Sequence, residues 1–267
     1  MAYTTINKSS DYFNTKLYTG TGSAQSITGV GFQPDLIWGK NRSATWNHIF
    51  TDAVRGANKQ ISSNLTNAEE SNTGEFTAFG SDGFSVGTGS TLNGSGNNIC
   101  SWNWKANGQG SSNTDGSTAS TVSVNTTAGF SIVKWTGSGS ATTIGHGIGV
   151  TPKIIMLKNT SEVYGWQVYH ASLGNTKYLA LDSTDAEATS SESWNNTSPT
   201  STVFSVGASD SNNKSGNTII AYCFAEKKGF SKFGSYVGNG STWGTFVNCG
   251  FKPAWIMLKD TNSGSAG

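Results

Sequence analysis

Apolar and polar positions alternate along this chain in short bursts, too brief for helices. In the stretch from residue 130 to 225, "FSIVKWTG", "TTIGHG", "KIIMLKN", "WQVYHA", "KYLALDS", "TVFSVGA" and "NTIIAYCFA" are separated by clusters of Gly, Asn, Ser and Asp, the punctuation of turns. No window keeps apolar residues at helical spacing beyond a turn or so, which predicts an all-β fold. About seven short strands in about 100 residues is the pattern of an antiparallel β-sandwich, jelly-roll or lectin-like. "KIIMLK" is apolar on both faces and is expected to be a central strand, whereas "KYLALDS" alternates and is expected to be half exposed. "TNAEESN" and "TDAEATSS" are expected to form one helical turn each.

The pattern repeats. "GFQPDLIWGKN" at 31–41 returns as "GVTPKIIMLKN" at 149–159 and as "GFKPAWIMLKD" at 250–260. Each proline sits where a strand begins, one of the few places a sheet tolerates it. From Gly20 with Gly137 to Glu69 with Glu187 the offset holds at about 117 to 118 residues, and it becomes about 120 for "FSVG" at 84 and 204. Pro152 and Pro253 are about 101 apart. The division that follows is an N-terminal arm at 1–12, a first repeat at 13–106, a flexible Gly/Ser/Thr-rich linker at 107–129, a second repeat at 130–228, and the start of an incomplete third repeat at 229–267.

Composition agrees with strands and turns. Charged residues make up 12% of the 267, while Gly, Ser, Thr and Asn supply about half, and those are mediocre helix formers. Disorder is excluded by nine Trp, eight Tyr and thirteen Phe, since disordered segments lack aromatic groups to bury. A net charge of +1, with Arg42 and Arg55 the only arginines, offers no footprint for nucleic acid, and no apolar stretch has the length that membrane insertion needs. The opening residues lack the apolar core of a signal peptide. Cys100, Cys223 and Cys249 have unrelated spacings, so they read as buried small hydrophobes rather than disulfide partners or metal ligands.

Chemistry-bearing motifs for nucleotides, zinc proteolysis or serine hydrolysis do not occur, and neither a catalytic residue, a metal site nor a cofactor is assigned. His48, His146 and His170 fall at positions that do not correspond between repeats, and are read as structural. Glu69 and Glu187 do correspond, as do Lys59 and Lys177. A single carboxylate per repeat lacks the second member that glycoside hydrolysis requires, so a capping or ion-pair role is expected. Trp38 aligns with Met156 and Met257, and Trp102 and Trp104 align with Tyr222 and Phe224, all core-like positions. Trp46 and Trp194 lie in polar loops instead, and are the candidate glycan contacts, Trp194 the better of the two.

Taken in order, "MAYTTINKSSDYFNTKLYTGTGS", "FTDAVRGA", "SWNWKA", "VYHASLGNTKYLALDST" and "IAYCFAEKKGFSKFGSYVGNGS" resemble a family of repeat-bearing virion structural proteins, tail-fibre-like, of tailed phages of marine bacteria. The resemblance spans essentially the whole chain. It implies a non-enzymatic virion protein, made in the host cytoplasm and working outside after lysis. Its expected partners are other virion proteins, copies of itself and a host-surface glycan. Alternatives are a capsid decoration or head-fibre protein, and a lectin-like module of a larger carbohydrate-active enzyme.

Overall fold

The computed structural model describes residues 4–262 and is all-β, with several antiparallel sheets. The first half runs β1 (Phe13–Thr19), β2 (Gln25–Thr28), β3 (Leu36–Asn41), β4 (Ile49–Asp52), β5 (Lys59–Ser62), β6 (Glu70–Ser71), β7 (Phe76–Gly80), β8 (Gly83–Val86), one helical turn α1 (Ser90–Asn93) and β9 (Asn98–Trp104). Its large sheet has the order β1-β9-β3-β4-β5-β6, and its small sheet β2-β8-β7. The second half follows with β10 (Ser111–Asn113), β11 (Ser120–Asn125), β12 (Phe130–Thr136), β13 (Thr142–Gly145), β14 (Ile154–Asn159), β15 (Gln167–His170), β16 (Lys177–Tyr178), β17 (Ala188–Thr189), the turn α2 (Ser191–Trp194), β18 (Val203–Val206), the turn α3 (Asp210–Asn213) and β19 (Thr218–Phe224). Here the large sheet is β10-β11-β12-β19-β14-β15, with β13-β18 and β16-β17 as separate pairs.

Pairing registers correspond between the halves. Trp104 on β9 lies opposite Phe13 and Leu36, and Phe224 on β19 lies opposite Phe130 and Ile154. The turn before each of these strands is pinned by a buried asparagine. Asn93 accepts from the Thr21 amide and donates to the Gly87 carbonyl, and Asn213 does the same with Ser138 and Gly207. Where the sequences diverge, volume is conserved. Gly39 on β3 leaves room for Leu92, and their counterparts are Leu157 and Asn212, with the large side chain moved to the strand.

Each large sheet is apolar on both faces because each has two neighbours. On β3, Ile37 points into a core shared with Phe76, Phe84 and Val86 of its own half, whereas Leu36 and Trp38 join a second core. On β14, Ile155 and Leu157 pack with Phe204 and Val206, whereas Ile154 and Met156 join that same second core. The two large sheets are therefore stacked face to face. Phe50 sits in the joint with edge-on contacts to Trp38, Trp166 and Tyr222 at 4.7, 5.4 and 5.4 Å between ring centroids.

Three expectations are corrected by this arrangement. Residues 107–129 are not a flexible linker throughout, since they supply β10 and β11, which extend the second large sheet outward from β12. Val122 and Val124 on β11 face inward at the period of a strand, and that outweighs the polar composition around them. Neither "TNAEESN" nor "TDAEATSS" forms a helical turn of its own: they contain the short strands β6 and β17, and only Ser191, at the end of the second, belongs to α2; the helical turns fall at α1, α2 and α3. In the third copy "AWIMLK" is not a strand, and no strand follows β19 among the described residues. The matching strand β14 lies between β15 and β19, and among the described residues the third copy has no counterpart of either to form a ladder with. Residues 1–3 of the expected N-terminal arm and 263–267 of the expected third repeat lie outside the described residues; in the rest of the arm Ile6 is buried.

Candidate functional site

The joint between the halves contains one concentrated group of charges. Asp52 ends β4, and its Oδ1 accepts from the amides of Val54 and Arg55, which tightens the turn that brings the Arg55 side chain back over the strand. Arg55 Nε then meets Asp52 Oδ2 at 2.5 Å, and Nη1 meets Glu69 Oε2 at 3.2 Å. From the second half, the Tyr222 hydroxyl on β19 donates to Asp52 Oδ2 at 2.8 Å and accepts from Arg55 Nη2 at 3.3 Å. Lys134 on β12 crosses the same joint to the Val54 carbonyl at 3.1 Å. An open cleft of about 290 Å³ over this group is lined by Arg55, Glu69, Lys134, Thr160, Ser161 and Thr218.

Burial alone would lower the Arg55 pKa, but the charges of Asp52 and Glu69 and the hydrogen bond to Asp52 outweigh it, and the guanidinium is held above its ordinary value. Burial also pushes the Tyr222 phenol well above its ordinary range, so it stays protonated and keeps donating. Fixed charge and fixed donors make a clamp between β4 and β19. The sequence did carry a signal for it: Arg55 is one of only two arginines in a chain where every other cationic residue is lysine or histidine, and arginine is the residue suited to a buried multidentate ion pair.

A second tie lies beside it. Lys158 on β14 is fully buried, and its Nζ donates to the carbonyls of Thr66, Asn159 and Tyr164 at 3.1, 3.0 and 2.6 Å. Burial pulls its pKa down to about 8, only partly opposed by Asp182. An unfolded lysine titrates near 10.4, so between those values the folded chain binds fewer protons and stability rises with pH, by on the order of 3 kcal/mol in all. Cys223, pushed up to about 12 by burial, acts in the opposite sense, because it keeps its proton when folded. The expected result is thus a difference: urea midpoints of the wild type measured from pH 7.5 to 10 climb relative to those of Lys158→Met. Parallel curves for the two proteins would show that Lys158 is not held in this depressed state.

The residues singled out by sequence do not converge on one place. Trp194 is not an exposed platform. It lies on α2, 1% exposed, edge-on to Tyr169, with Nε1 donating to the Lys177 carbonyl at 3.1 Å, and so it pins its own loop. Trp46 is 44% exposed, in the loop before β4, with its carbonyl taking the Lys40 ammonium at 2.6 Å. Glu69 and Glu187 form ion pairs in both halves, with Lys59 at 3.3 Å and with Lys177 respectively. His146 is buried and satisfied: Nδ1 accepts from the Ile148 amide and the other nitrogen faces the Thr200 carbonyl. Cys100 and Cys223 are buried free thiols, Cys249 is partly buried, and among the described residues no three His, Cys, Asp or Glu side chains are grouped to hold a metal ion. No helix among the described residues is long and apolar enough to cross a membrane.

The fold and the clamp define an all-β protein whose two halves are locked through a shared core. Residues 8–266 match the family described as "Domain of unknown function (DUF7483)", and the chain belongs to that family. No curated protein and no solved structure matches it.

Proposed function

We propose that the chain is a non-enzymatic structural component of a phage virion, a tail-fibre or appendage protein built from tandem antiparallel β-sandwiches of jelly-roll or lectin-like type, contributing to host-surface attachment. The observation that carries the mechanical part of this reading is the continuous core between the two large sheets, in which Leu36, Trp38 and Phe50 interlock with Ile154, Met156 and Tyr222. A shared core of this kind makes a stiff unit that transmits load, rather than beads on a string. The virion part rests on the sequence resemblance. Partners on this reading are other virion proteins and further copies of the chain. A host glycan contact, if made through an aromatic platform, falls to Trp46, because Trp194 is buried.

The test is immunogold labelling of purified virions that carry this gene. Label on tails or fibres is the expected result. Label distributed over the head shell would favour a decoration or head-fibre protein, and particles with no label would overturn the virion assignment. On labelled particles, Trp46→Ala is expected to reduce adsorption to host cells while leaving the amount of incorporated protein unchanged.

A further inference from the structure

The contact between the first and second units recurs between the second unit and the third copy. Glu69 donates its amide to the Thr160 carbonyl at 2.8 Å, and Glu187, its counterpart, donates to the Thr261 carbonyl at 3.0 Å. Lys158 reaches the Thr66 carbonyl at 3.1 Å, and Lys259, its counterpart, reaches Ser183, next to the counterpart of Thr66, at 3.0 Å. One geometric operation therefore relates unit one to two and unit two to three. Trp255 of the third copy then lies against the first unit, with ring centroids 5.6 Å from Trp104 and 6.2 Å from both Phe13 and Trp38. A head-to-tail contact whose third member returns to the first is a closed ring, not an open filament.

Closure leaves one face to be filled. In the second unit Ile132, Lys134 and Tyr222 are covered by the turn after β4 of the first unit, with Lys134 bonded to Val54. Their counterparts in the first unit are Thr15, Leu17 and Trp102, and of these Leu17 is 58% exposed and Thr15 is exposed. The third copy is open in the complementary way. Trp255 and Met257 pack on the shared core, while Ile256 and Leu258 are 65% and 69% exposed, although their counterparts Ile155 and Leu157 are fully buried inside their own unit. We infer that the three copies form a pseudo-threefold ring, and that the Thr15–Leu17–Trp102 face is the seat of a complete third unit of this same repeat type, whose central strand is Ala254–Asp260. The turn that follows the fourth strand of that unit covers Leu17 just as the Val54 turn covers Lys134.

The experiment replaces residues 262–267 with a second copy of the sequence Ser161–Lys228, supplying the strands in register, and carries Leu17→Cys as a probe. Alkylation at position 17 is followed by peptide mapping, which separates it from Cys249. The expected result is a monomer in which the extension slows alkylation at least about tenfold, as for a site that reacts only when its cover opens. A bismaleimide should also link position 17 to a cysteine placed at the appended counterpart of Ser172, just as it is expected to link Lys134→Cys to Val54→Cys in the unextended chain, where Lys134 reaches the Val54 carbonyl. Unchanged reactivity at position 17 in the extended chain overturns the inference, and so does an extension that adds no strand signal in circular dichroism. Concentration-dependent protection of position 17 in the unextended chain would assign the face to a second copy instead, and equally overturns it.

Discussion

Arg55→Ala is expected to cost about 3 to 5 kcal/mol of stability, far more than a surface charge is worth, because it strands a carboxylate inside the joint. Asp52 is fully buried, and without Arg55 its remaining partners are the Tyr222 hydroxyl and two backbone amides. Glu69 loses the Arg55 contact but keeps Lys59 and is partly exposed, so it relaxes at little cost. The damage should therefore trace to Asp52. Asp52→Asn added to Arg55→Ala is expected to restore part of the loss, since a neutral amide suffers less from burial without a cation, and the two substitutions should be clearly non-additive in a double-mutant cycle. Urea unfolding of the four proteins, followed by tryptophan fluorescence, supplies the numbers. A loss below about 1 kcal/mol for Arg55→Ala would place the pair among ordinary surface bridges and remove the clamp from the account.

Strand content was legible because period-2 alternation and turn punctuation are local properties, whereas the pairing order, which joins strands far apart in the chain, was not read from it. The face-to-face joint was half legible. "KIIMLK" announced two apolar faces, but a strand cannot state what covers its second face, and here the cover is the other half of the chain. The segment 107–129 was misread because Gly, Ser and Thr dominate it, although Val122 and Val124 stand at strand spacing. Trp194 was misread for a related reason. Its neighbours in sequence are polar, whereas its neighbours in space, Tyr169 above all, come from a strand about 25 residues earlier. The clamp was invisible as a constellation, since Asp52 and Arg55 lie in one half and Tyr222 in the other, and the second half carries His170 and Leu173 where the first has Asp52 and Arg55.

The shared core makes the sharpest prediction, since it decides whether the halves unfold as one body. Phe50 is fully buried, with Trp38 of the first half on one side and Trp166 and Tyr222 of the second on the other. Phe50→Ala is expected to cost about 3 to 5 kcal/mol, the sum of lost transfer energy and a cavity that the three surrounding rings cannot close. Phe84 is the matched control, because it is buried only in the first half's own core, against Phe76 and Tyr18. Phe84→Ala should cost a similar amount. The two variants are expected to separate in hydrogen exchange. In Phe50→Ala the amides of β14 and β19 in the second half should exchange faster along with those of β3 and β9, because the cavity weakens the surface that holds both sheets. In Phe84→Ala the acceleration should be concentrated in β2, β3, β8 and β9, with β14 and β19 still protected by Ile155, Leu157, Phe204 and Val206. If Phe50→Ala leaves the second half's exchange as slow as in the wild type, the halves are independently stable and the joint is a contact rather than a core.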